Sequence, residues 1–207
     1  MFCILIPTVN QAQMLYKALD WYTKYLPNTD IVVLDNGNQG IEYEAPNLQL
    51  VQAPYNLGVA KSWNHLIDLC SKKHQYFLVL QDDVILMRTE AEISGMIRSF
   101  NDFTFFRPET AYGWAAFVIN RWMHQRVGLF DEKFVKLGLE DKDYEHRMRL
   151  NGINIRYSPE INPQFFRNSQ SIIKNPSLDG YDENRKYYVE KWGGLPGQEK
   201  NKTPFNP

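Results

Sequence analysis

The chain has 207 residues and a formal net charge of −1, with 43% hydrophobic and 14% aromatic residues. This length is enough for one large domain with a substantial core, and the composition excludes an intrinsically disordered chain. The basic residues are scattered rather than clustered, so the charge distribution excludes bulk binding of nucleic acid.

The expected location follows from the apolar segments and the cysteines. No apolar run approaches the length of a transmembrane helix, and the start MFCILIP lacks the basic leader of a signal peptide. We interpret the two cysteines, Cys3 and Cys70, as reduced and buried thiols. These features predict a soluble protein with no transmembrane segment, in the cytoplasm of a bacterium or of a virus-infected host cell.

Apolar runs alternate with amphipathic segments up to Leu86. Four runs have the composition of buried strands: Phe2–Ile6, Ile31–Leu34, Leu48–Val51 and Tyr76–Leu80. Between them, apolar residues recur at helical spacing from Ala12 to Leu26 and from Val59 to Cys70, and Asn10 stands where it can cap the first helix. Such alternation predicts a mostly parallel sheet with helices on both faces.

After Leu86 the alternation is less regular. The pattern predicts the helix Ala91–Phe100, a loop or edge strand Asn101–Pro108, the strand Gly113–Ile119, the short helix Arg121–Val127, a helix from Leu139 to Leu150 and the strand Ile153–Tyr157. No linker or internal repeat divides the chain. We therefore expect a single domain over residues 1–207.

Polar residues follow three of the predicted strands. Thr8 and Asn10 come after the first, the pair Asp35 and Asn36 after the second, and the triplet 81–83 after the fourth. The carboxyl ends of parallel strands meet at one edge of a sheet, where open α/β sheets bind their ligands. Each group alone is ordinary turn chemistry. Together they predict a ligand crevice.

The triplet 81–83 consists of Gln81, Asp82 and Asp83, directly after the buried strand YFLVL. Adjacent carboxylates in such a place repel each other and are costly to desolvate, so we expect a positive group to compensate them. A divalent cation that carries a phosphorylated ligand fits, because Mg²⁺-type ions take one or two carboxylates together with phosphate oxygens.

A second acidic group, Glu140-Asp141-Lys142-Asp143, opens a predicted helix. The helix dipole favours ionised carboxylates at this end, each by roughly 0.3–1 kcal/mol. For Asp143 alone, helix capping is a sufficient explanation. An ionised carboxylate beside a crevice is also what a general base requires.

Five segments in order along the chain resemble those of the GT-A-fold glycosyltransferases of family 2. They are ILIPTVNQAQML, IVVLDNGN, NLGVAKSWN, LQDDV and GLFDEKFVKLGLEDKDYEHRMRLNG. The resemblance covers nearly the whole chain. It implies a Rossmann-like α/β/α sandwich with a mostly parallel central sheet, and a metal-dependent inverting enzyme that transfers a sugar from a nucleotide-sugar donor, with UDP favoured.

The resemblance also implies roles for individual residues. Asp83 would be the main protein ligand of Mn²⁺ or Mg²⁺, and Asp82 would lie near the ribose or the metal. Asp141 would be the base that deprotonates the acceptor hydroxyl, and Glu140 would orient the acceptor or the loop. The acceptor would be a glycan, a glycoprotein or a glycolipid.

Further binding residues follow from the matching positions. Asp35 would contact the nucleobase, and Trp114 with Gly113 would line the acceptor side. The complete set expected to bind the donor is Pro7, Thr8, Asn10, Asp35, Asn36, Asn56, Lys61, Asn64, Gln81, Asp82 and Arg167. We expect nucleotide binding from about residues 1–86, acceptor binding and catalysis from about 87–175, and a closing segment from about 176–207.

The chain departs from the family pattern at two points. Gln81 stands where an acidic residue or Asn is common, and the segment Ile161–Ile173 lacks the His that the family often supplies, so Arg167 would meet the diphosphate. A sugar-phosphate nucleotidyltransferase is a second interpretation, although Pro7–Gln13 has no glycine and no basic residue for its phosphate loop. A catalytically silent module that binds nucleotide or glycan is a third.

Overall fold

A computed structural model describes residues 2–99, 103–105, 114–157, 164–165 and 179–203. The strands are β1 Phe2–Thr8, β2 Asp30–Asp35, β3 Leu48–Gln52, β4 Tyr76–Leu80, β5 Val84–Ile85, β6 Phe103–Phe105, β7 Ala116–Asn120, β8 Ile155–Tyr157 and β9 Gln164–Phe165. The helices are α1 Ala12–Tyr25, α2 Val59–Ser71, α3 Glu90–Ser99, α4 Arg121–Val127, α5 Glu140–Leu150 and α6 Tyr181–Trp192.

The central sheet has seven strands in the order β3-β2-β1-β4-β7-β6-β8. The pairs from β3 to β4 are parallel, as is β6 with β8, whereas β7 runs antiparallel to both of its neighbours. The short strands β5 and β9 form a separate antiparallel pair. The predicted α/β class with a mostly parallel sheet is confirmed.

Both faces of the sheet are buried, which explains why its strands are continuous apolar runs. In β1, Cys3 and Leu5 belong to the core on one face, and Ile4 and Ile6 to the core on the other. Helices α2, α4 and α5 cover the first face, and α1 and α3 cover the second. A smaller apolar cluster holds α6 against the segment that precedes α5.

Several local predictions need correction. Asn10 does not cap α1: it has a φ of +58°, and the helix begins after Gln11, whose backbone N–H donates to Gln39 Oε1 at 2.7 Å. The strand predicted from Gly113 begins at Ala116, and Gly113 lies outside the described residues. The pair of β5 with β9 was not predicted, because two-residue strands carry no periodicity. None of the helices among the described residues is long and apolar enough to cross a membrane.

Candidate active site

A cavity of about 710 Å³ opens at the carboxyl ends of β1, β2 and β4, the edge where open α/β sheets bind ligands. We call the lining residues from the strand ends and the loop before α2 the first wall, and those from the segment that enters α5 and the start of α6 the second wall. The cavity is lined by these residues chosen from the sequence: Pro7, Thr8, Asn36, Asn56, Gln81, Asp82, Asp83, Trp114, Glu140 and Asp141.

The end of β4 places two adjacent carboxylates in the cavity wall. Thr8 Oγ1, at the end of β1, donates a hydrogen bond of 2.7 Å to Asp82 Oδ2. Burial raises the pKa of Asp82 to about 7; the Thr8 hydrogen bond opposes this shift, and the charge of Asp83 adds to it. Asp83 is itself only 4% exposed. The wall therefore holds like charges that a cation would compensate.

Asp82 and Asp83 can supply only some of the ligands that a metal ion needs. The described part of the chain contains no group of three or more His, Cys, Asp or Glu side chains that could hold a metal ion. An Mg²⁺-type ion needs just one or two protein carboxylates when phosphate oxygens and water fill its other positions. Asp82 and Asp83 therefore fit an ion that arrives with a diphosphate, and a divalent charge would relieve their repulsion.

The segment that leads into α5 has an unusual backbone. Lys136, Gly138 and Leu139 have φ values of +56°, +124° and +69°. Non-glycine residues in this region cost of order 1–3 kcal/mol each and persist where the surroundings fix them. Here the Lys136 carbonyl accepts a hydrogen bond from Val59 N at 3.0 Å, and Glu140 Oε2 accepts one from Gly138 N at 2.6 Å. The Glu140 carboxylate therefore holds the segment that delivers it to the cavity.

Glu140 and Asp141 stand side by side at the start of α5. Burial raises the pKa of Glu140 to about 8, and the charge of Asp141 adds to the shift. Burial also raises the pKa of Asp141, against the opposing charge of Lys142. Burial of Asp141 thus acts against the helix dipole, which favours the ionised carboxylate at this end of α5. A carboxylate with a raised pKa is a stronger base than an ordinary one.

The raised pKa of Glu140 predicts how stability varies with pH. Its value of about 8 lies above the ordinary value of 4.5, so the folded state binds the proton more tightly. The protonated Glu140 side chain therefore stabilises the folded state fully at a pH below the ordinary pKa, and this stabilisation is lost as the pH rises through the pKa of the folded state. We expect the melting temperature of Glu140→Gln to fall less than that of the wild type between about pH 5 and about pH 8. Glu183→Gln, in the exposed first turn of α6, is the control. Equal slopes of melting temperature against pH for the wild type and both variants would contradict the raised pKa of Glu140.

Helix α6 holds the second wall of the cavity in place. Asn184 is 1% exposed, and its amide nitrogen donates to the carbonyls of Val135 and Gly138 at 2.8 and 2.7 Å. Its amide oxygen accepts from Val135 N at 3.0 Å. One buried side chain thus bonds both ends of the strained segment, which links the position of Glu140 to residues more than forty positions later in the chain.

A buried charge network joins α6 to α5. Lys191 Nζ lies 2.7 Å from both Asp131 Oδ2 and Asp143 Oδ1, and Arg147 Nε donates to Asp143 Oδ2 at 2.9 Å. Trp192 Nε1 also donates to Asp143, at 2.8 Å. Asp143 is therefore no simple helix cap, as its position had suggested, but a fully buried carboxylate paired with two cations.

Breaking this network should be costly. Lys191→Met removes the cation that pairs with both Asp131 and Asp143 and leaves Arg147 on Asp143. Removal of one partner of a buried pair typically destabilises by roughly 3–5 kcal/mol. Urea denaturation measures the free energy of unfolding, and Lys186→Met, at an exposed position of the same helix, is the matched control. A loss no larger than that of the control would show that the network contributes nothing to stability.

Some residues chosen from the sequence do not line the cavity. The Asp35 carboxylate accepts hydrogen bonds from the backbone of Gly37 and Gln39, and the Asn64 side chain bonds both backbone atoms of Phe130. Lys61 lies beside the exposed Tyr55 ring. Asn10 borders a separate shallow pocket, while Gly113 and Arg167 lie outside the described residues. Asp35 thus fixes the loop that follows β2, and Asn64 fixes the backbone of Phe130.

Other site residues were missed from the sequence. Glu145 accepts hydrogen bonds from Trp114 Nε1 at 3.0 Å and from Lys142 Nζ at 2.9 Å, so it orients one aromatic wall of the cavity. Gln39 donates to Thr8 Oγ1 at 3.4 Å and accepts from Gln11 N. The spacing of Lys142 and Glu145 on one helix face was the available signal for the first; nothing in the local sequence marks the second.

Comparison with known proteins identifies the family. The sequence profile described as "Glycosyl transferase family 2" matches residues 3–106, just over half of the chain. A search of curated protein sequences found no match. The matched range includes the ends of β1, β2 and β4, which form the first wall of the cavity, while Glu140 and Asp141 lie beyond it.

Solved structures with the same fold include three structures of two glycosyltransferases. The catalytic domain of Drosophila β1,4-galactosyltransferase 7 in complex with xylobiose aligns with a TM-score of 0.57 and 12% identity over 81% of this chain and 71% of that one. A mutant of the Drosophila enzyme in complex with manganese, UDP-Gal and xylobiose aligns with a TM-score of 0.61 and 11% identity over 99% of this chain and 82% of that one. GalNAc-T7 with UDP, GalNAc and Mn²⁺ aligns with a TM-score of 0.67 and 12% identity over 93% of this chain and 49% of that one.

At these identities the neighbours establish the fold alone, which is GT-A. The profile match and the fold agree with the family inferred from the five sequence motifs. The chain belongs to glycosyl transferase family 2 and is a glycosyltransferase.

Proposed function

We propose that this glycosyltransferase moves a sugar from a nucleoside diphosphate donor, with UDP-sugars favoured, to a hydroxyl group of a glycan or glycoconjugate. The reaction is metal-dependent and inverts the configuration at the anomeric carbon. The observation that carries the proposal is one cavity with Asp82 and Asp83 in one wall and Glu140 and Asp141 in the other.

Asp141 takes the proton of the acceptor. It lines the cavity, its Oδ1 is oriented by the backbone N–H of Lys142 at 2.8 Å, and burial raises its pKa. The acceptor oxygen attacks the anomeric carbon as its proton passes to Asp141, and the bond from that carbon to the nucleoside diphosphate breaks on the opposite side. Glu140 is 3% exposed and bonded to Gly138, which suits a residue that fixes the segment rather than the base.

Asp82 and Asp83 would hold Mn²⁺ or Mg²⁺ and, through it, the diphosphate end of the donor. Such an ion would supply positive charge to the leaving diphosphate, where negative charge builds up. Thr8 fixes Asp82 from the neighbouring strand, so the carboxylate pair is oriented before the donor arrives. The structural neighbours crystallised with UDP and manganese support this pairing of donor and ion.

The remaining lining has the chemistry of a donor and an acceptor side. Pro7, Asn36 and Asn56 stand near the strand ends, where Asn36 Nδ2 donates to Asn56 Oδ1 at 2.9 Å and so joins two loops of the wall. Trp114, held by Glu145, faces the cavity beside α5. A nucleotide at the strand ends and a glycan beside Trp114 would bring the two reacting atoms between the carboxylate pairs.

Release of UDP tests the proposal. Purified protein is incubated with UDP-galactose, UDP-glucose, UDP-N-acetylgalactosamine or UDP-N-acetylglucosamine, with Mn²⁺ or with EDTA, and free UDP is measured with and without a mixture of simple glycosides. We expect Mn²⁺-dependent UDP release from at least one donor. Binding of donors without any release would favour a silent binding module. Release of pyrophosphate from UTP and a sugar 1-phosphate would favour a nucleotidyltransferase instead.

A further inference from the structure

Tyr181, the first residue of α6, is an aromatic residue of the cavity lining that the proposed mechanism does not use. It is 50% exposed, whereas Trp63 and Trp114, which also line the cavity, are 5% and 4% exposed. The rings of those two tryptophans pack into the aromatic core, at 5.8 Å from each other. Tyr181 therefore offers the cavity an aromatic surface that the core does not consume.

The backbone beneath Tyr181 is fixed by several contacts. Gly180 N donates to the Leu137 carbonyl at 3.1 Å, and Tyr181 N donates to Asp179 Oδ1 at 2.9 Å. Gly180 approaches Val135 so closely that an added Cβ would stand 2.5 Å from the Val135 carbonyl oxygen. The backbone of Tyr181 is thus held against the strained segment, and a backbone that is already fixed loses less conformational entropy on binding.

The same contacts place Tyr181 on the side of the base. An added Cβ at Gly138 would stand 3.2 Å from the Tyr181 Cα and 3.4 Å from its ring atom Cδ2, so the tyrosine lies directly against Gly138. Gly138 in turn is bonded to Glu140. The tyrosine therefore lies against the segment that carries Glu140 and Asp141, and it lines the same cavity as Asp82 and Asp83.

We propose that Tyr181 forms a subsite for the acceptor, on which a pyranose ring of the glycan lays its C–H face. The proposal rests on the proposed function and adds the residue that holds the sugar next to the base. A pyranose ring has a rim of hydroxyl groups and a face of C–H groups. The negative face of an aromatic ring attracts the hydrogen atoms of these C–H groups, which carry a partial positive charge. Contact with a half-exposed tyrosine also removes apolar surface from water.

Binding of simple glycosides tests the subsite without any turnover. Methyl β-D-galactopyranoside, methyl β-D-glucopyranoside and methyl α-D-mannopyranoside are titrated into the wild type, Tyr181→Ala and Tyr181→Phe, each with UDP and Mg²⁺ present. Saturation-transfer NMR reports which ring protons contact the protein. We expect at least one glycoside to bind, with a dissociation constant about tenfold higher for Tyr181→Ala and nearly unchanged for Tyr181→Phe. The phenylalanine variant binds normally because the ring face and not the hydroxyl group makes the contact.

Calorimetry of UDP with Mg²⁺ separates this subsite from a nucleobase site. We expect Tyr181→Ala to bind UDP as the wild type does. Tyr25 is 44% exposed and lies outside the cavity lining, so Tyr25→Ala should change the affinity for neither UDP nor the glycosides. Weaker UDP binding by Tyr181→Ala would overturn the proposal, as would equal glycoside binding by all variants or no binding of any of the three glycosides. Failure of UDP to bind the wild type would count against the proposed function, while the glycoside titrations would still decide the role of Tyr181.

Discussion

Asp141→Asn should lower the rate of sugar transfer by about 10²–10⁴, the usual contribution of a general base. Asparagine keeps the shape of the side chain and the oxygen that accepts from Lys142 N, but it cannot take the acceptor proton. Because the variant loses an interaction that exists only in the transition state, kcat should fall while the affinity for the donor stays the same.

The alternative is that Asp141 only stabilises the start of α5. It predicts a small loss of stability and nearly normal turnover in Asp141→Asn. Asp182→Asn removes the same charge from the exposed first turn of α6 and is the matched control. Single-turnover rates and melting temperatures of both variants decide between the two roles. Normal turnover in Asp141→Asn would move the base to Glu140 or remove the proposed mechanism.

Asp83→Ala should abolish the metal-dependent part of donor binding and leave the fold intact. Asp83 is buried, and its charge adds to the rise that burial causes in the pKa of Asp82. Removal of one of two repelling carboxylates therefore relieves a cost that offsets the lost packing. We expect calorimetry to give the same affinity for UDP with Mn²⁺ as with EDTA.

Two comparisons make this result specific. Asp83→Asn keeps the volume of the side chain, so it should show the same loss of metal dependence even where the alanine variant is less stable. Asp68→Ala, an exposed carboxylate on α2, should bind UDP and Mn²⁺ as the wild type does. Undiminished Mn²⁺-dependent binding by Asp83→Asn would refute the assignment of Asp83 as the metal ligand.

The sequence predicted the first half of the fold well because local patterns determine it. Residues of β1 alternate between two cores that are both apolar, so the strand is visible as an unbroken apolar run. The polar residues after β1, β2 and β4 meet at one edge because the strands are parallel, which the alternation with helices had indicated.

The second wall of the cavity could not be predicted in the same way. Asp143 pairs with Lys191, and Asn184 bonds Val135 and Gly138, at separations of 46 to 49 positions along the chain. No periodicity or spacing in the sequence encodes such contacts. The left-handed conformation of Leu139 is likewise imposed by its surroundings, since a branched side chain gives no local preference for it.

The central claim is that a metal ion at Asp83, which binds the diphosphate of the donor, and a base at Asp141, which takes the proton of the acceptor, act in the same cavity. Anomalous diffraction at the manganese edge, from crystals grown with UDP and Mn²⁺, tests it most directly. The account predicts a single manganese peak in the cavity, within bonding distance of an Asp83 carboxylate oxygen and of the UDP diphosphate, with Asp141 across the cavity from the diphosphate. UDP bound in the cavity with manganese at another site, or with no manganese at all, would contradict it.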